Sequence, residues 1–258
     1  MNPTAVTVSL VPEARGGGPF IFWDDIATSC AKAKALGYDA VELFAPSVDA
    51  VRDAAAAVKT SGLALATVGT GAGWVRHKLS ISDPDPEIRA RARRFIVEMI
   101  DAAAPAPAIL GSMQGRARGP WIADALREFD AEAGRRGATF LLEPLNRYEG
   151  AICNTLAEGS ALIRGLSHTK LLADCFHMAI EETSLAGALI AAGKDVAHIQ
   201  LADSNRRPAG HGHTDWPSIA SALKTIGYTG YLSAEALPWP DPDTAARLAM
   251  DGIRKYFG

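Results

Sequence analysis

Four apolar runs in the second half of the sequence each carry one side chain with an oxygen that could bind a metal: Glu143, Asp174, Gln200 and Glu235. A carboxylate is costly to bury without a partner, and a single one could form a structural ion pair. Three converging carboxylates repel each other strongly, and a divalent cation relieves that repulsion. Hard oxygen ligands suit Mg²⁺ or Mn²⁺, with Co²⁺ as a further candidate. These residues predict one divalent metal site, with a purely ion-paired cluster as the alternative.

The four residues can meet only if their runs are neighbouring strands, and the rest of the chain predicts that arrangement. Short runs rich in Val, Ile, Leu and Ala recur at residues 5–11, 40–44, 64–70, 106–112, 138–144, 170–177, 197–203 and 231–237. Runs that are apolar nearly throughout are typical of strands buried on both faces of a parallel sheet. Helical patterns lie between them, most clearly at residues 84–103.

The eight strand–helix units occupy nearly all of the 258 residues. Each unit has about 32 residues, which is the size of the repeat in a TIM barrel. We therefore predict an α/β fold, a single (β/α)8 TIM barrel over residues 1–258, with a doubly wound open sheet as the alternative. Neighbouring barrel strands lie about 4.8 Å apart and carry their chemistry at their carboxyl ends, so the four candidate ligands should converge there.

Composition excludes several other classes of protein. The chain is 48% apolar and 21% charged, which is enough to fold around a core, and its net charge of −3 argues against general nucleic-acid binding. The three cysteines form no close-spaced pair, so neither a disulfide framework nor a zinc ribbon is predicted. No apolar stretch is long enough to span a membrane, and residues 1–15 lack a signal-peptide pattern. We expect a cytoplasmic protein with no membrane or nucleic-acid partner.

Several basic residues near the predicted strand ends could line a polar pocket for substrate hydroxyls. They are Arg147, His177, His198, Arg206, Arg207, His211 and His213. His198 and Gln200 are two residues apart on one predicted strand and so share a face. His198 is therefore either a contact at the site or a hydrogen-bonded core histidine.

Two further residues are candidates for substrate binding. Residues 69–74 are glycine-rich without the dinucleotide-binding spacing, and we interpret them as a mobile loop that could place Trp74 over the pocket. Arg116 follows the fourth predicted strand and could bind a substrate phosphate or carboxylate. The alternative is an Arg116 in an ordinary surface loop.

Several motifs resemble the xylose isomerase-like TIM-barrel superfamily of sugar isomerases and epimerases. The segment Leu142-Glu143-Pro144-Leu145-Asn146-Arg147-Tyr148-Glu149 is similar to the strand-five motif of D-tagatose and D-psicose 3-epimerases. Asp174-Cys175-Phe176-His177-Met178 is similar to their strand-six motif. Ser204-Asn205-Arg206 and residues 208–213 resemble the segment after strand seven, and residues 79–89 resemble the start of the third helix.

The resemblance implies a metal bound by Glu143, Asp174, Gln200 and Glu235, with Glu143 and Glu235 also acting as the acid–base pair. It implies that Glu149, His177 and Arg206 contact substrate oxygens, and that the chain forms a homo-oligomer. The epimerases carry His where this chain has Gln200, and the His-x-Gln pattern here is similar to hydroxypyruvate isomerase.

The predicted activity is a metal-dependent isomerase or epimerase acting on a small-molecule carbohydrate, a ketose or related hydroxy-keto compound, by proton transfer through an enediolate. One alternative is a lyase or dehydratase that acts on a keto-inositol or a 3-keto-sugar. A DNA repair nuclease of the endonuclease IV type would need three metals and more His and Asp ligands. A non-catalytic sugar-binding barrel would not need two carboxylates facing a metal.

Overall fold

Eight parallel strands close into a barrel in chain order in the computed structural model, which describes residues 2–258. The strands are β1 Thr4–Ser9, β2 Ala40–Phe44, β3 Ala64–Gly69, β4 Ala108–Leu110, β5 Phe140–Leu142, β6 Thr169–Asp174, β7 Val196–Leu201 and β8 Leu232–Ala234. The pairing of β1 with β8 completes the ring. The prediction of a single (β/α)8 TIM barrel is confirmed, and the open-sheet alternative is wrong because β1 and β8 are hydrogen-bonded to each other.

Helices connect the strands and form the outer layer. They are α1 Ile26–Leu36, α2 Val48–Ser61, α3 Ala72–His77, α4 Pro86–Ala103, α5 Trp121–Arg135, α6 Leu156–Leu162, α7 Cys175–Glu181, α8 Leu185–Ala192, α9 Trp216–Thr225 and α10 Pro242–Phe257. None of the helices in residues 2–258 is long and apolar enough to cross a lipid bilayer.

The sixth strand is shorter than predicted. It ends at Asp174, whose side chain accepts a hydrogen bond from the backbone N–H of Phe176 at 2.8 Å and so caps the start of α7. A carboxylate in this position satisfies a backbone donor that the helix leaves free. His177 therefore lies on a helix that begins at the barrel rim and not on the strand.

The glycine-rich segment after β3 is helical and packed, so its interpretation as a mobile loop is wrong. Helix α3 begins directly after Gly71 and includes Trp74. A methyl group on Gly71 would lie 2.9 Å from Phe44 Cε2, and one on Gly73 would lie 2.5 Å from Met113 Sδ. The glycines permit close approach of this turn to its neighbours.

Alternation along the strands separates an apolar outer face from the barrel interior. On β2, Val41 and Leu43 pack under the helices, whereas Glu42 between them faces inward. The interior has two small apolar clusters, one formed by Ala5, Ala40 and Ala66 and the other by Ile109, Leu141 and Leu172. The polar side chains occupy the carboxyl-terminal half of the interior, where a TIM barrel carries its chemistry.

Candidate active site

The structure brings the four predicted metal ligands to one end of the barrel. Glu143 follows β5, Asp174 ends β6, Gln200 lies on β7 and Glu235 follows β8. Asp174 and Gln200 are aligned on adjacent strands, so their side chains leave the sheet side by side. All four residues are at least nine-tenths buried. A cavity opens above them, and Glu143, Gln200 and Glu235 line it.

Arg206, from the loop after β7, bridges two of the carboxylates. Its Nη1 donates to Asp174 Oδ2 and its Nη2 donates to Glu235 Oε2. The guanidinium also lies over the ring of Phe176, 4.6 Å from the centroid. Burial, the largest single influence, would raise the pKa of Asp174, but the charges of Arg206 and His177 and the hydrogen bonds from Arg206 and the Phe176 backbone together hold that pKa below its usual range. Arg206 is thus a fixed cation in the lining of the cavity.

The loop that carries Arg206 is organised by Asp203. The Asp203 carboxylate accepts hydrogen bonds from four N–H groups, which are the backbone N–H of Ser204, Gly210 and Thr214 and the indole N–H of Trp216. These donors outweigh the effect of burial and lower the pKa of Asp203 to about 2. The loop therefore folds around one ionised carboxylate at the rim.

His177 is held in one tautomer by Asn146. The backbone N–H of Asn146 donates to His177 Nδ1 at 3.2 Å, and the Asn146 amide lies 2.7 Å from the same nitrogen. Because Nδ1 accepts, the proton of a neutral ring is on Nε2, which lies 3.6 Å from both Glu143 Oε1 and Asp174 Oδ2. Burial lowers the pKa of His177, which keeps the ring neutral. His177 is therefore a hydrogen-bond donor toward the cavity.

Glu143 and Glu235 have the character of proton-transfer groups. Burial, and next the charge of Asp174, raise the pKa of Glu143 well above its ordinary value. Burial raises the pKa of Glu235 in the same way, although the charge of Arg206 opposes the change. A carboxyl group whose pKa is raised toward neutrality can both take and return a proton at physiological pH.

The donor set fits a hard divalent cation. Ligand atoms of Glu143, Asp174 and His177 all lie within 4.8 Å of one another. The Nε2 proton makes His177 a donor and not a ligand, which leaves the carboxylates. Gln200 supplies a second observation, because its Oε1 is buried and accepts no hydrogen bond from any described residue. A buried carbonyl oxygen left without a donor, on the strand next to Asp174, is suited to a cation.

Glu42 is a buried carboxylate at the site for which the sequence predicted no role. It lies on β2, across the barrel from β7, and accepts hydrogen bonds from His198 Nε2 at 2.8 Å and from Gln200 Nε2. Burial, the largest single influence, would raise the pKa of Glu42, but the hydrogen bond and charge of His198 and the hydrogen bond from Gln200 act together to lower it. A glutamate between Val41 and Leu43 in an apolar strand is a signal that the sequence does contain. Its partners could not be identified, because they lie more than 150 residues away along the chain.

Residues 30–256 match the protein family described as Xylose isomerase-like TIM barrel. The chain belongs to this family. D-psicose 3-epimerase of Ruminiclostridium cellulolyticum is 30% identical over 225 residues, which cover 79% of this chain and 75% of that protein. The 3-dehydro-D-guloside 4-epimerase of Escherichia coli is 29% identical, with 90% of this chain and 95% of that protein covered. These relatives place the chain among the sugar isomerases and epimerases.

Solved structures agree with this membership of the xylose isomerase-like family. The 3-keto-D-glucoside 4-epimerase from E. coli superposes with a TM-score of 0.80 at 25% identity, over 98% of this chain and 99% of that one. D-psicose 3-epimerase from Clostridium cellulolyticum, solved with D-tagatose, gives a TM-score of 0.79 at 23% identity, over 100% and 99% of the two chains. The second comparison shows the shared fold alone.

The other residues that were predicted to bind substrate in this family member lie in different surroundings. Glu149 lines the cavity at its exposed rim and accepts a hydrogen bond from Asn146 Nδ2 at 2.8 Å. His198 is buried below the cavity against Glu42. Trp74 and Arg116 are not among the residues that line the cavity, and Arg116 donates to the backbone carbonyl of Tyr148. Substrate contact by His198, Trp74 and Arg116 stays a prediction.

The prediction that all seven basic residues line one polar pocket is wrong. Only His177 and Arg206 of that group line the cavity. Arg147 turns outward to pair with Glu181, and Arg207 lies over the ring of Trp239. His211 is also near Trp239, and His213 is exposed. The physical reason is the loop after β7, which Asp203 folds so that one arginine points inward and its neighbour outward.

Proposed function

We propose that the protein is a divalent-metal-dependent epimerase or isomerase that moves a proton at a carbon next to the carbonyl of a ketose or related keto-sugar. The observation that carries the proposal is the pair Glu143 and Glu235, two buried carboxyl groups with raised pKa values that line one cavity with Arg206 and His177. Proton transfer next to a carbonyl needs such a pair together with donors for the oxygen that becomes negative.

Glu143, Asp174, Gln200 and Glu235 would hold one divalent ion, Mn²⁺ or Mg²⁺ by preference, with Co²⁺ as a further candidate. When bound, the ion polarises the substrate carbonyl and stabilises negative charge on its oxygen. Three carboxylates and one neutral amide oxygen form a hard donor set, and the unpartnered Gln200 Oε1 supports this assignment.

The side chains of the chain itself carry the proton steps. One carboxylate of the pair, Glu143 or Glu235, takes the carbon-bound proton. The electron pair of the broken C–H bond forms a C=C bond, and the π pair of the carbonyl moves to its oxygen to give an enediolate. The other carboxyl group returns a proton. Return to the opposite face of the same carbon gives an epimer. Return to the former carbonyl carbon gives an isomer, and in that case the hydroxyl group on the first carbon also gives up its proton while the former carbonyl oxygen gains one. Exchange with solvent then resets the two protonation states.

Three further residues would bind and orient the substrate. His177 Nε2–H and the Arg206 guanidinium are the donors available for substrate oxygens, and Glu149 at the rim is an acceptor for a hydroxyl group. Trp74, Arg116 and His198 remain candidates for contacts that form when a substrate is bound. A homo-oligomer, which the resemblance to the family implies, is part of the same proposal. A cytoplasmic location, expected from the sequence pattern, is also part of it.

Two substrate classes follow from the relatives. Proteins named D-psicose and L-ribulose 3-epimerases suggest a free ketose, with inversion at carbon 3. The relative named 3-dehydro-D-guloside 4-epimerase suggests a glycoside oxidised at carbon 3, with inversion at carbon 4. Both reactions invert a carbon next to a carbonyl, so one carboxylate pair serves either.

The proposal is tested by incubation with Mn²⁺ in D₂O and a panel of ketoses, 3-keto-glycosides, keto-acids and keto-inositols. Deuterium at one carbon of a recovered isomer supports the proposal and identifies the substrate class. Loss of water or release of a fragment supports the lyase alternative and overturns the proposal. The absence of exchange with every class also contradicts it.

A further inference from the structure

We propose that Glu42 is a positioning residue that holds the Gln200 side chain with its oxygen toward the metal. The inference rests on the proposed metal site and assigns a role to a buried carboxylate that the proton-transfer steps do not use. Glu42 is 4% exposed and lies inside the barrel on β2.

The geometry connects three residues across the barrel. His198 and Gln200 are two positions apart on β7, so both side chains point inward toward β2. Glu42 Oε2 accepts from His198 Nε2 at 2.8 Å, and Glu42 Oε1 accepts from Gln200 Nε2. Each carboxylate oxygen is therefore held by a different donor, which prevents the carboxylate from rotating.

The contact with Glu42 determines which end of the Gln200 amide faces Glu42. A glutamine side chain ends in one acceptor oxygen and one donor NH₂ group, and a half-turn about its last bond exchanges them. An ionised carboxylate only accepts hydrogen bonds, so the NH₂ group of Gln200 must face Glu42. Gln200 Oε1 then faces away from Glu42 and accepts no hydrogen bond from any described residue. The opposite orientation would set a carboxylate against a carbonyl oxygen and turn N–H donors toward the cation.

The Mn²⁺ affinities of the parent and of four variants test the inference. Binding is followed by the electron paramagnetic resonance signal of free Mn²⁺, and Co²⁺ absorption spectra report the coordination sphere. Glu42→Gln should weaken Mn²⁺ binding about 10- to 100-fold, the range expected when a group that orients a ligand is lost. In a Gln200→Ala background the same change should have no further effect, because there is no amide left to orient. Glu132→Gln removes another buried carboxylate, one paired with Arg135 and Arg136 on α5, and should leave affinity unchanged.

A second pair of variants covers the case in which Glu42→Gln folds poorly. In a Gln200→Glu background both ends of the side chain at position 200 are oxygens, so orientation no longer matters. Glu42→Gln should then not weaken Mn²⁺ binding relative to Gln200→Glu alone. The double variant Glu42→Gln, Gln200→Glu has the same net charge as the parent. Its amide at position 42 can donate a hydrogen bond to the carboxylate at position 200, which reverses the direction found in the parent.

The outcomes separate this inference from the proposed function. If the parent protein binds neither Mn²⁺ nor Co²⁺, the metal site itself is wrong. If the parent binds Mn²⁺ and Glu42→Gln binds it equally well, the metal site stands and the positioning role is wrong. An equal loss of affinity from Glu42→Gln with Gln200 present or replaced by Ala would also overturn the role, because Glu42 would then act independently of the amide.

Discussion

Arg206 donates through Nη2 to Oε2 of Glu235, and the side chains of both residues are only 10% exposed. The other arm of the guanidinium binds Asp174, so one cation serves two carboxylates. Glu143 has no comparable partner, since no arginine or lysine of residues 2–258 forms an ion pair with it and the neutral His177 lies 3.6 Å away. The two proposed proton-transfer groups therefore differ in surroundings, which suits a reaction in which one carboxyl group gives a proton while the other takes one.

Neutral substitutions of the two carboxylates should abolish most of the activity. Glu143→Gln and Glu235→Gln should each lower kcat by at least about 10²–10⁴-fold, the usual contribution of general acid–base catalysis, and by more if metal is lost. Turnover and metal content are measured on the same samples. Near-parent turnover in both variants would show that other groups move the proton.

Glu143→Gln should stabilise the metal-free protein. Because the folded-state pKa of Glu143 is raised, stability is lost as pH rises from the unfolded value of about 4.3 toward the folded pKa. In the presence of a chelator, Glu143→Gln should be more stable than the parent at pH 7 to 8, and the difference should disappear below about pH 4. Urea unfolding at several pH values measures this. The pKa of Glu143 would not be raised if Glu143→Gln lost stability relative to the parent as the pH increased from 4 to 8.

Removal of the bridging cation should make the metal-free protein less stable. Arg206→Met leaves Asp174 and Glu235 buried without their counter-charge, and the loss of one partner of a buried pair costs about 3–5 kcal/mol. Added Mn²⁺ should then raise the unfolding temperature more in the variant than in the parent. Arg127→Met removes an arginine of an exposed pair with Asp124 and should cost under about 1 kcal/mol. Equal stability of the two variants would contradict a structural role for the buried pair.

Gly111 should be required for the position of the Glu143 carboxylate. A methyl group at Gly111 would overlap Glu143 Oε2 and displace it. Gly111→Ala should lower kcat by about 10²-fold, the effect of a displacement of about 1 Å at a reacting group. Gly17→Ala is the control, because a methyl group there meets nothing within 4 Å. Parent-like kcat in Gly111→Ala would mean that Glu143 adjusts without loss.

Asp203 should make the protein more stable above about pH 4 than below it. Its folded-state pKa is about 2, below the unfolded value of about 3.9, so this contribution is present above the unfolded pKa and is lost as pH falls toward 2. Asp203→Asn should lose about 2 kcal/mol at pH 7, since an amide cannot accept from all four donors. Asp53→Asn on the exposed face of α2 should change stability by less than about 0.5 kcal/mol. A difference between Asp203→Asn and the parent that is constant from pH 7 to pH 2 would contradict the ionised carboxylate.

The barrel and the main carboxylates of the site could be predicted from the sequence alone, because both depend on local patterns. Apolar runs at regular intervals define buried parallel strands, and a polar residue near the end of each run lies at one rim once the strands are parallel. Glu143, Asp174, Gln200 and Glu235 were identified in this way, and neighbouring strands bring them together without further information.

Only the tertiary structure decided which polar groups contact one another. Glu42 meets His198 and Gln200 because the ring closes between β1 and β8, a relationship between residues far apart in the chain. His177 reaches the site from a helix because Asp174 ends its strand and caps α7. Local patterns assign each residue to an element and a face, but hydrogen bonds across the barrel depend on closure and register, which arise from the packing of the whole chain.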